Sequence, residues 1–191
     1  MKCFIAAAAL AAATATAAWA APEKYVLDPG HSQVLFSYNH LGYSTTWGMF
    51  GGFEGEIMFD QEDPAASSVS VSIPVRSMLT GWEKRFQDFM SPDFFDAQEG
   101  DVATFTSTGI QVTGENTALI TGDLTINDIT QPAVLDAKLN QAGVHPQANK
   151  PWAGFDATTT ILRSDFGLGL FAPFVGDEVT INISIEAMKA E

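Results

Sequence analysis

Side chains able to do acid–base or metal chemistry are few, since the chain has three histidines and one cysteine. Cys3 lies in the apolar stretch at the very start, so the rest holds no disulfide, no thiolate ligand and no cysteine nucleophile. His31 and His40 are nine residues apart. That odd spacing puts them on opposite faces of one unbroken strand, and they converge only if the strand ends near Asn39. His145 stands in Gly143-Val144-His145-Pro146, a loop expected to be exposed. There is no HExxH, no CxxC and no tight carboxylate cluster beside the histidines, so no metal site is expected. An acid–base site would use His31 or His40 as general base with a nearby Asp as its partner. The simpler reading hydrogen-bonds His31 beside the Asp28-Pro29-Gly30 turn. Asp165-Phe166-Gly167 spells the kinase DFG but has no glycine-rich phosphate loop or HRD segment with it. Asn182-Ile183-Ser184 is a glycosylation sequon inside a strand pattern, and no G-x-S-x-G elbow is present. No catalytic set emerges, and the chain is not expected to be an enzyme.

The aromatic residues carry more information. Fourteen Phe stand against three Tyr and four Trp, so most bulky side chains lack a polar handle. Taken singly, each Phe is as well explained by an ordinary core. Gly48, Gly51, Gly52 and Gly55 sit beside Trp47, Phe50 and Phe53, however, and glycines within a strand leave space or mark a bend. Space lined by Phe suits an apolar chain. Strand parity nominates Phe36, Tyr38, Trp47, Phe50, Phe53, Ile57 and Phe59 as lining. It adds Val71, Phe105, Leu124, Phe155 and Ile161 from later strands. A helical run supplies Trp82, Phe86 and Phe89. Arg76, Lys84 and Arg85 cluster in the same region, where they would form a cationic rim for an anionic or carbonyl head group or be satisfied locally by Glu83 and Asp88.

Positioning these side chains falls mainly to strands. Val179, Ile181, Ile183 and Ile185 alternate with Thr180, Asn182, Ser184 and Glu186, which places the β-branched set on one sheet face. Val69, Val71 and Ile73 alternate with serines, and Val34, Phe36, Tyr38 and Phe53, Gly55, Ile57, Phe59 form two further sets. Residues 104–112, 118–126, 133–139 and 155–162 complete about eight strands. From Ser77 to Met90, Met78, Leu79, Trp82, Phe86 and Phe89 recur at helical spacing until Ser91-Pro92 stops the run. Eight antiparallel strands with one helical interruption fit a closed barrel with the helix near its mouth, wide enough for one slender ligand. A two-sheet sandwich filled by its own side chains is the alternative.

The chain has 191 residues, the size of one domain, and its 9 Lys plus Arg against 23 Asp plus Glu give a formal charge of −14. Nucleic acid is therefore excluded as a partner class. Residues 1–20 read as a secretory signal peptide: Met1-Lys2, an apolar run from Phe4 to Ala13, and Ala18-Trp19-Ala20 as the cleavage site. Residues 21–191 would then be one domain carrying eight cations and 23 acids. Its expected location is the periplasm, as a soluble protein. Ala21, not cysteine, follows the expected cleavage site, so no lipoprotein anchor is expected.

In order along the chain, the segments Tyr25-Val26-Leu27-Asp28, His31-Ser32, Gly48-Met49-Phe50, Ser91-Pro92-Asp93-Phe94-Phe95-Asp96, Gly122-Asp123-Leu124-Thr125-Ile126 and Arg163-Ser164-Asp165-Phe166-Gly167 resemble the YceI-like proteins. These are exported bacterial polyisoprenoid-binding proteins with a lipocalin-like barrel. The resemblance implies an elongated apolar tunnel holding an isoprenoid such as a quinone or polyprenyl lipid as ligand, with no cofactor and no transferable catalytic residue. Some relatives are associated with fatty acids or their amides. The family often has Gly-x-Thr-x-Pro where this chain reads Asp128-Ile129-Thr130-Gln131-Pro132. The function expected is a carrier or store for a long apolar lipid. The alternatives are a fatty acid or fatty amide binder, or an enzyme acting on a lipid head group through His31 or His40. A membrane redox partner receiving a bound quinone and a homodimer are the protein partners that fit this reading.

Overall fold

Period-two alternation becomes ten strand segments over residues 21–191, the part of the chain described by the structure, a computed structural model. The signal peptide expected at 1–20 lies outside the described residues. β1 (Glu23–Leu27) and β2 (Gln33–His40) lie end to end against the last strand, interrupted by the Asp28 turn. β3 (Ser44–Phe50) and β4 (Glu54–Phe59) pair with β2 and β1 in the same way. Then follow β5 (Ser68–Pro74), β6 (Val102–Gly114), β7 (Thr117–Ile126), β8 (Ile129–Val144), β9 (Pro151–Leu162) and β10 (Glu178–Lys189). The ladder runs β1-β4-β5-β6-β7-β8-β9-β10 and returns from β10 to β1, a closed ring of eight antiparallel strands. The barrel, not the sandwich, is therefore the architecture, and closure leaves that ring without an edge.

The ring is sealed at the β1/β4 end and open-sided at the other, where the β2–β3 ribbon continues along β10 without a ladder from β3 to β5. The β5–β6 crossover occupies this gap. It contains α1 (Glu83–Met90), shorter than the helix expected from Ser77. Residues 78–82 are not helical because Leu79 exchanges backbone hydrogen bonds with Met49 of β3, at 3.0 and 2.7 Å. Gly81 then turns the chain with φ of 72°. A strand-like pairing thus wins over apolar periodicity, and helix begins only after extended Trp82.

Two apolar clusters hold the barrel. At the sealed end Tyr25, Phe59 and Phe155 meet edge-to-face, with ring centroids 5.7 and 5.4 Å apart, over Leu27, Ile57 and Ala187. At the open-sided end Phe36, Val75, Met78, Met90 and Ala97 lock the crossover onto β2. Each buried Phe or Ile contributes about 1.5–3 kcal/mol. Two glycines serve this packing directly. A Cβ on Gly48 would collide with the Phe36 ring, and one on Gly122 with the Phe105 ring.

The two-residue turn between β7 and β8, Asn127-Asp128, has φ of 56° and 60°. Both positions are left-handed, as a type I′ hairpin requires, and the chain meets this with Asn and Asp rather than Gly. Asp128→Gly should raise stability by about 1 kcal/mol by relieving the left-handed Asp. An unchanged or lower thermal midpoint would show that the Asp conformation carries no such cost.

Candidate functional site

Between the two clusters the barrel is not filled. A cavity of about 830 Å³ runs from the crossover to the β6–β7 turn. Val179, Ile181, Ile183 and Ile185 of β10 and Val69, Val71 and Ile73 of β5 all face it, as their alternation requires. Phe36, Tyr38, Phe50, Ile57 and Phe59 line it from the first four strands, and Phe53 from the turn between β3 and β4. Phe105, Leu124, Phe155 and Ile161 line it from the later ones, with Trp82 and Phe89 from the crossover.

Trp47 and Phe86 are corrections to the expected lining, since neither reaches the cavity. Trp47 pairs with Ser37 while its neighbour Gly48 pairs with Phe36, so on β3 it is Thr46, Gly48 and Phe50 that point inward. Trp47 is 55% exposed on the outer face. From Trp82, just before α1, and from Arg85, Asp88 and Phe89 on it, the crossover faces the cavity. Phe86 lies one step round the helix, packed in the open-sided cluster with the Arg76 guanidinium 5.6 Å above its ring.

Some lining residues carried no periodic signal. Phe94 and Phe95 follow the proline that ends the helix, while Leu168, Leu170, Phe171 and Val175 belong to the loop between β9 and β10. Buried Arg163 shapes that loop, donating to the carbonyls of Leu168, Leu170, Val175 and Gly176, the last three at 2.9 Å. The Ser164 hydroxyl donates to the Asp177 carboxylate at 2.7 Å. Gly176 N–H reaches Asn39 O at 2.8 Å, tying the loop to the β2–β3 ribbon.

Charged side chains touch the cavity mainly at its ends. Arg85, Asp88 and Asp93 do so beside the crossover, and Glu115, Lys138 and Asp156 beside the β6–β7 turn. Of the cations expected at the rim, Lys84 pairs with Asp88 at 3.0 Å, whereas Arg76 and Arg85 donate to the backbone carbonyls of Ala97 and Thr80. The middle of the cavity is walled by Phe, Ile, Leu and Val. Such a wall favours an apolar chain and gives it no directional contact, about 25 cal/mol for each Å² removed from water.

The histidines separate. His40 lines the cavity but has no hydrogen-bonded carboxylate among the described residues. His31 Nδ1 is 2.7 Å from Asp28 Oδ2, outside the cavity. His145 is half-buried rather than exposed, its ring 4.7 Å from that of Trp152. No histidine among the described residues therefore joins a carboxylate to the cavity. Asp28, His31 and Glu186 do bring ligand-type atoms within 4.8 Å of one another. Each of the carboxylates also has a local donor, with Glu186 accepting from the Trp152 indole at 2.8 Å and Asp28 from Gly30 N–H at 2.9 Å.

The hydrogen bond to Asp28 raises the His31 pKa, and the same bond lowers that of Asp28. The histidine's contribution to stability is complete below its unfolded value of about 6.5 and fades as pH rises through the folded pKa. The aspartate's contribution is complete above about 3.9 and fades as pH falls through its folded value. His31→Asn should therefore lower the thermal midpoint most between about pH 4 and 6.5 and progressively less above that window. A pH-independent difference would assign the loss to packing instead.

With the barrel and its cavity in place, comparison with known proteins gives a consistent answer. The model of the YceI-like domain matches residues 25–187. The chain belongs to the YceI-like family. A UPF0312 protein of Ectopseudomonas mendocina is 39% identical over 159 residues, covering 83% of each chain. One from Pseudomonas paraeruginosa is 35% identical and covers 99% of both. Among solved structures, BcnA of Burkholderia cenocepacia superposes with a TM-score of 0.75 at 27% identity, over 84% of this chain and 98% of that one. A polyisoprenoid binding domain from Saccharophagus degradans, implicated in plant cell wall breakdown, has a TM-score of 0.61 at 14% identity, covering 87% and 98%. That last likeness is one of fold. In this YceI-like chain the segment Arg163-Ser164-Asp165-Phe166-Gly167 has a physical role, because its arginine and serine hold the loop that closes one side of the cavity mouth.

Proposed function

We propose that this protein is a non-enzymatic carrier or store that holds a long apolar lipid of the isoprenoid type, a quinone or polyprenyl chain, inside its barrel after export to the periplasm. The observation that carries the reading is the apolar cavity of about 830 Å³, continuous from the crossover to the β6–β7 turn and charged only toward its ends, Arg163 apart. Its Phe and β-branched walls accept a methyl-branched chain by shape, without fixed polar contacts. The Saccharophagus domain, a polyisoprenoid binder of the same fold, supports the ligand class. A fatty acid is the second reading, favoured by one feature: Arg85 at the mouth donates to a carbonyl, not a carboxylate, and could meet an acid head group.

Mass spectrometry of an organic extract decides between them. Protein purified from its native compartment should carry a prenyl lipid or quinone near one per chain, absent from an unrelated exported control. A stoichiometric fatty acid would move the assignment to the second reading. An empty extract from protein shown to be folded would overturn both.

A further inference from the structure

A lipid of this class resides in a bilayer, so the inference that follows rests on the lipid-binding reading and concerns where the cargo is exchanged. Three segments converge at the crossover end of the cavity. The β2–β3 turn and the 168–176 loop are joined by the Gly176–Asn39 hydrogen bond and the His40–Val175 bridge, and the crossover is joined to β3 through Met49 and Leu79. Each segment exposes large apolar side chains: Tyr43 is 91% exposed, Phe174 76%, Phe171 62%, Leu79 60% and Trp82 58%. Among the described residues, every aromatic side chain exposed to this degree lies on these loops or, for Trp47, on adjoining β3. The strands elsewhere expose only aliphatic groups such as Val112 and Val144. Trp82 and Phe171 also line the cavity, so rim and interior form one apolar surface.

The rim also carries cations. Lys24, Lys150 and Lys189, on other parts of the surface, pair with Glu56, Glu191 and Glu23, and at the rim Lys84 pairs with Asp88. At the rim, Arg76 and Arg85 have no carboxylate partner among the described residues, and the Arg85 guanidinium sits 5.9 Å from the exposed Trp82 ring. In a chain of net charge −14, Arg76 and Arg85 give the mouth two cations for lipid phosphates, beside the carboxylates of Asp88 and Asp93. Indole and phenol rings suit the membrane interface, where one end of the ring is apolar and the other wet. A permanently bound second copy would instead close the opening through which cargo must pass.

We propose that this aromatic rim is a membrane-docking surface, seated on a phospholipid bilayer while a chain passes between bilayer and cavity without crossing water. Vesicle flotation tests it, with protein purified from its native compartment and vesicles of phosphatidylethanolamine and phosphatidylglycerol. The protein should float with the vesicles. The double variant Tyr43→Ser/Phe174→Ser, at two exposed positions outside the cavity, should reduce binding about tenfold or more while its extractable lipid content stays unchanged. Arg85→Gln should weaken binding most at low salt. Val144→Ser, exposed on another surface, is the control and should bind as the parent does.

No flotation by the parent protein, or equal flotation by the double variant, would overturn the proposal. A loss of self-association in the double variant with flotation unchanged would also overturn it and assign the rim to a second copy. Failure of the lipid-binding reading registers separately, as an empty extract whatever the vesicles show.

Discussion

Val71→Glu is expected to abolish co-purifying lipid, whereas Ser70→Glu, one residue away on the same strand, is expected to leave it unchanged. Val71 faces the cavity from β5, between Gly55 of β4 and Phe105 of β6. Ser70 is exposed on the opposite face. A one-residue step along a strand exchanges barrel interior for solvent, so the pair isolates the interior with little difference in sequence. A carboxylate on the wall must be desolvated when an apolar chain fills the cavity, and that costs several kcal/mol. At about 1.4 kcal/mol for each factor of ten, affinity should fall at least about a hundredfold. The empty barrel escapes this cost because water can enter the cavity and hydrate the new charge. Val71→Trp reaches the same end through volume, displacing chain with indole. Both variants should keep the parent's circular dichroism. Lipid retained near one per chain in folded Val71→Glu would mean that the cargo does not run past β5.

The strands that carry Val71 and its neighbours were legible because one face is solvated and the other is not. Serine and threonine opposite valine and isoleucine leave no ambiguity of parity on β5 and β10. Where the ladder is irregular the pattern blurs. Register shifts at Ser107/Gly109 and Leu139/Gln141 hide how far β6 and β8 extend, so they run to 13 and 16 residues instead of the shorter spans that alternation suggests. β1 and β3 escaped notice for another reason. Each is half of a strand split by a turn, and β3 carries Gly48 where an inward side chain would have completed the pattern. That missing side chain also explains Trp47. Reading 47, 50 and 53 as one aromatic set ignores parity, and parity sends Trp47 outward. The helix was overextended because apolar spacing cannot register the pairing of Leu79 with Met49, residues 30 positions apart. The cavity wall was thus readable on the regular strands. It was hidden in the 163–177 loop, whose shape is set by side-chain-to-backbone hydrogen bonds, not by hydrophobic period.

That loop depends on one residue, and Arg163→Leu should cost about 3–5 kcal/mol of stability. Its guanidinium serves four backbone carbonyls of residues 168–176 and has no carboxylate partner among the described residues. Hydrogen bonds from a charged donor contribute about 1.5–3 kcal/mol each, and a buried acceptor left without its donor loses about 1–3. Arg163 is 9% exposed, so water replaces it poorly, although cooperation among the four bonds keeps the total below their sum. Leucine would meet the loss of volume and none of the loss of donors. Lysine is the sharper comparison. It retains the charge, but its single ammonium cannot span carbonyls that a planar fork reaches from both sides, so Arg163→Lys should recover less than half of the loss. Thermal melts of the three proteins measure this, with a drop of about 10 °C expected for the leucine variant. Because Leu168, Leu170, Phe171 and Val175 line the cavity from this loop, lipid content should fall along with the midpoint. A leucine variant within about 1 kcal/mol of the parent would show that water can satisfy these carbonyls and that the loop keeps its shape without the clasp.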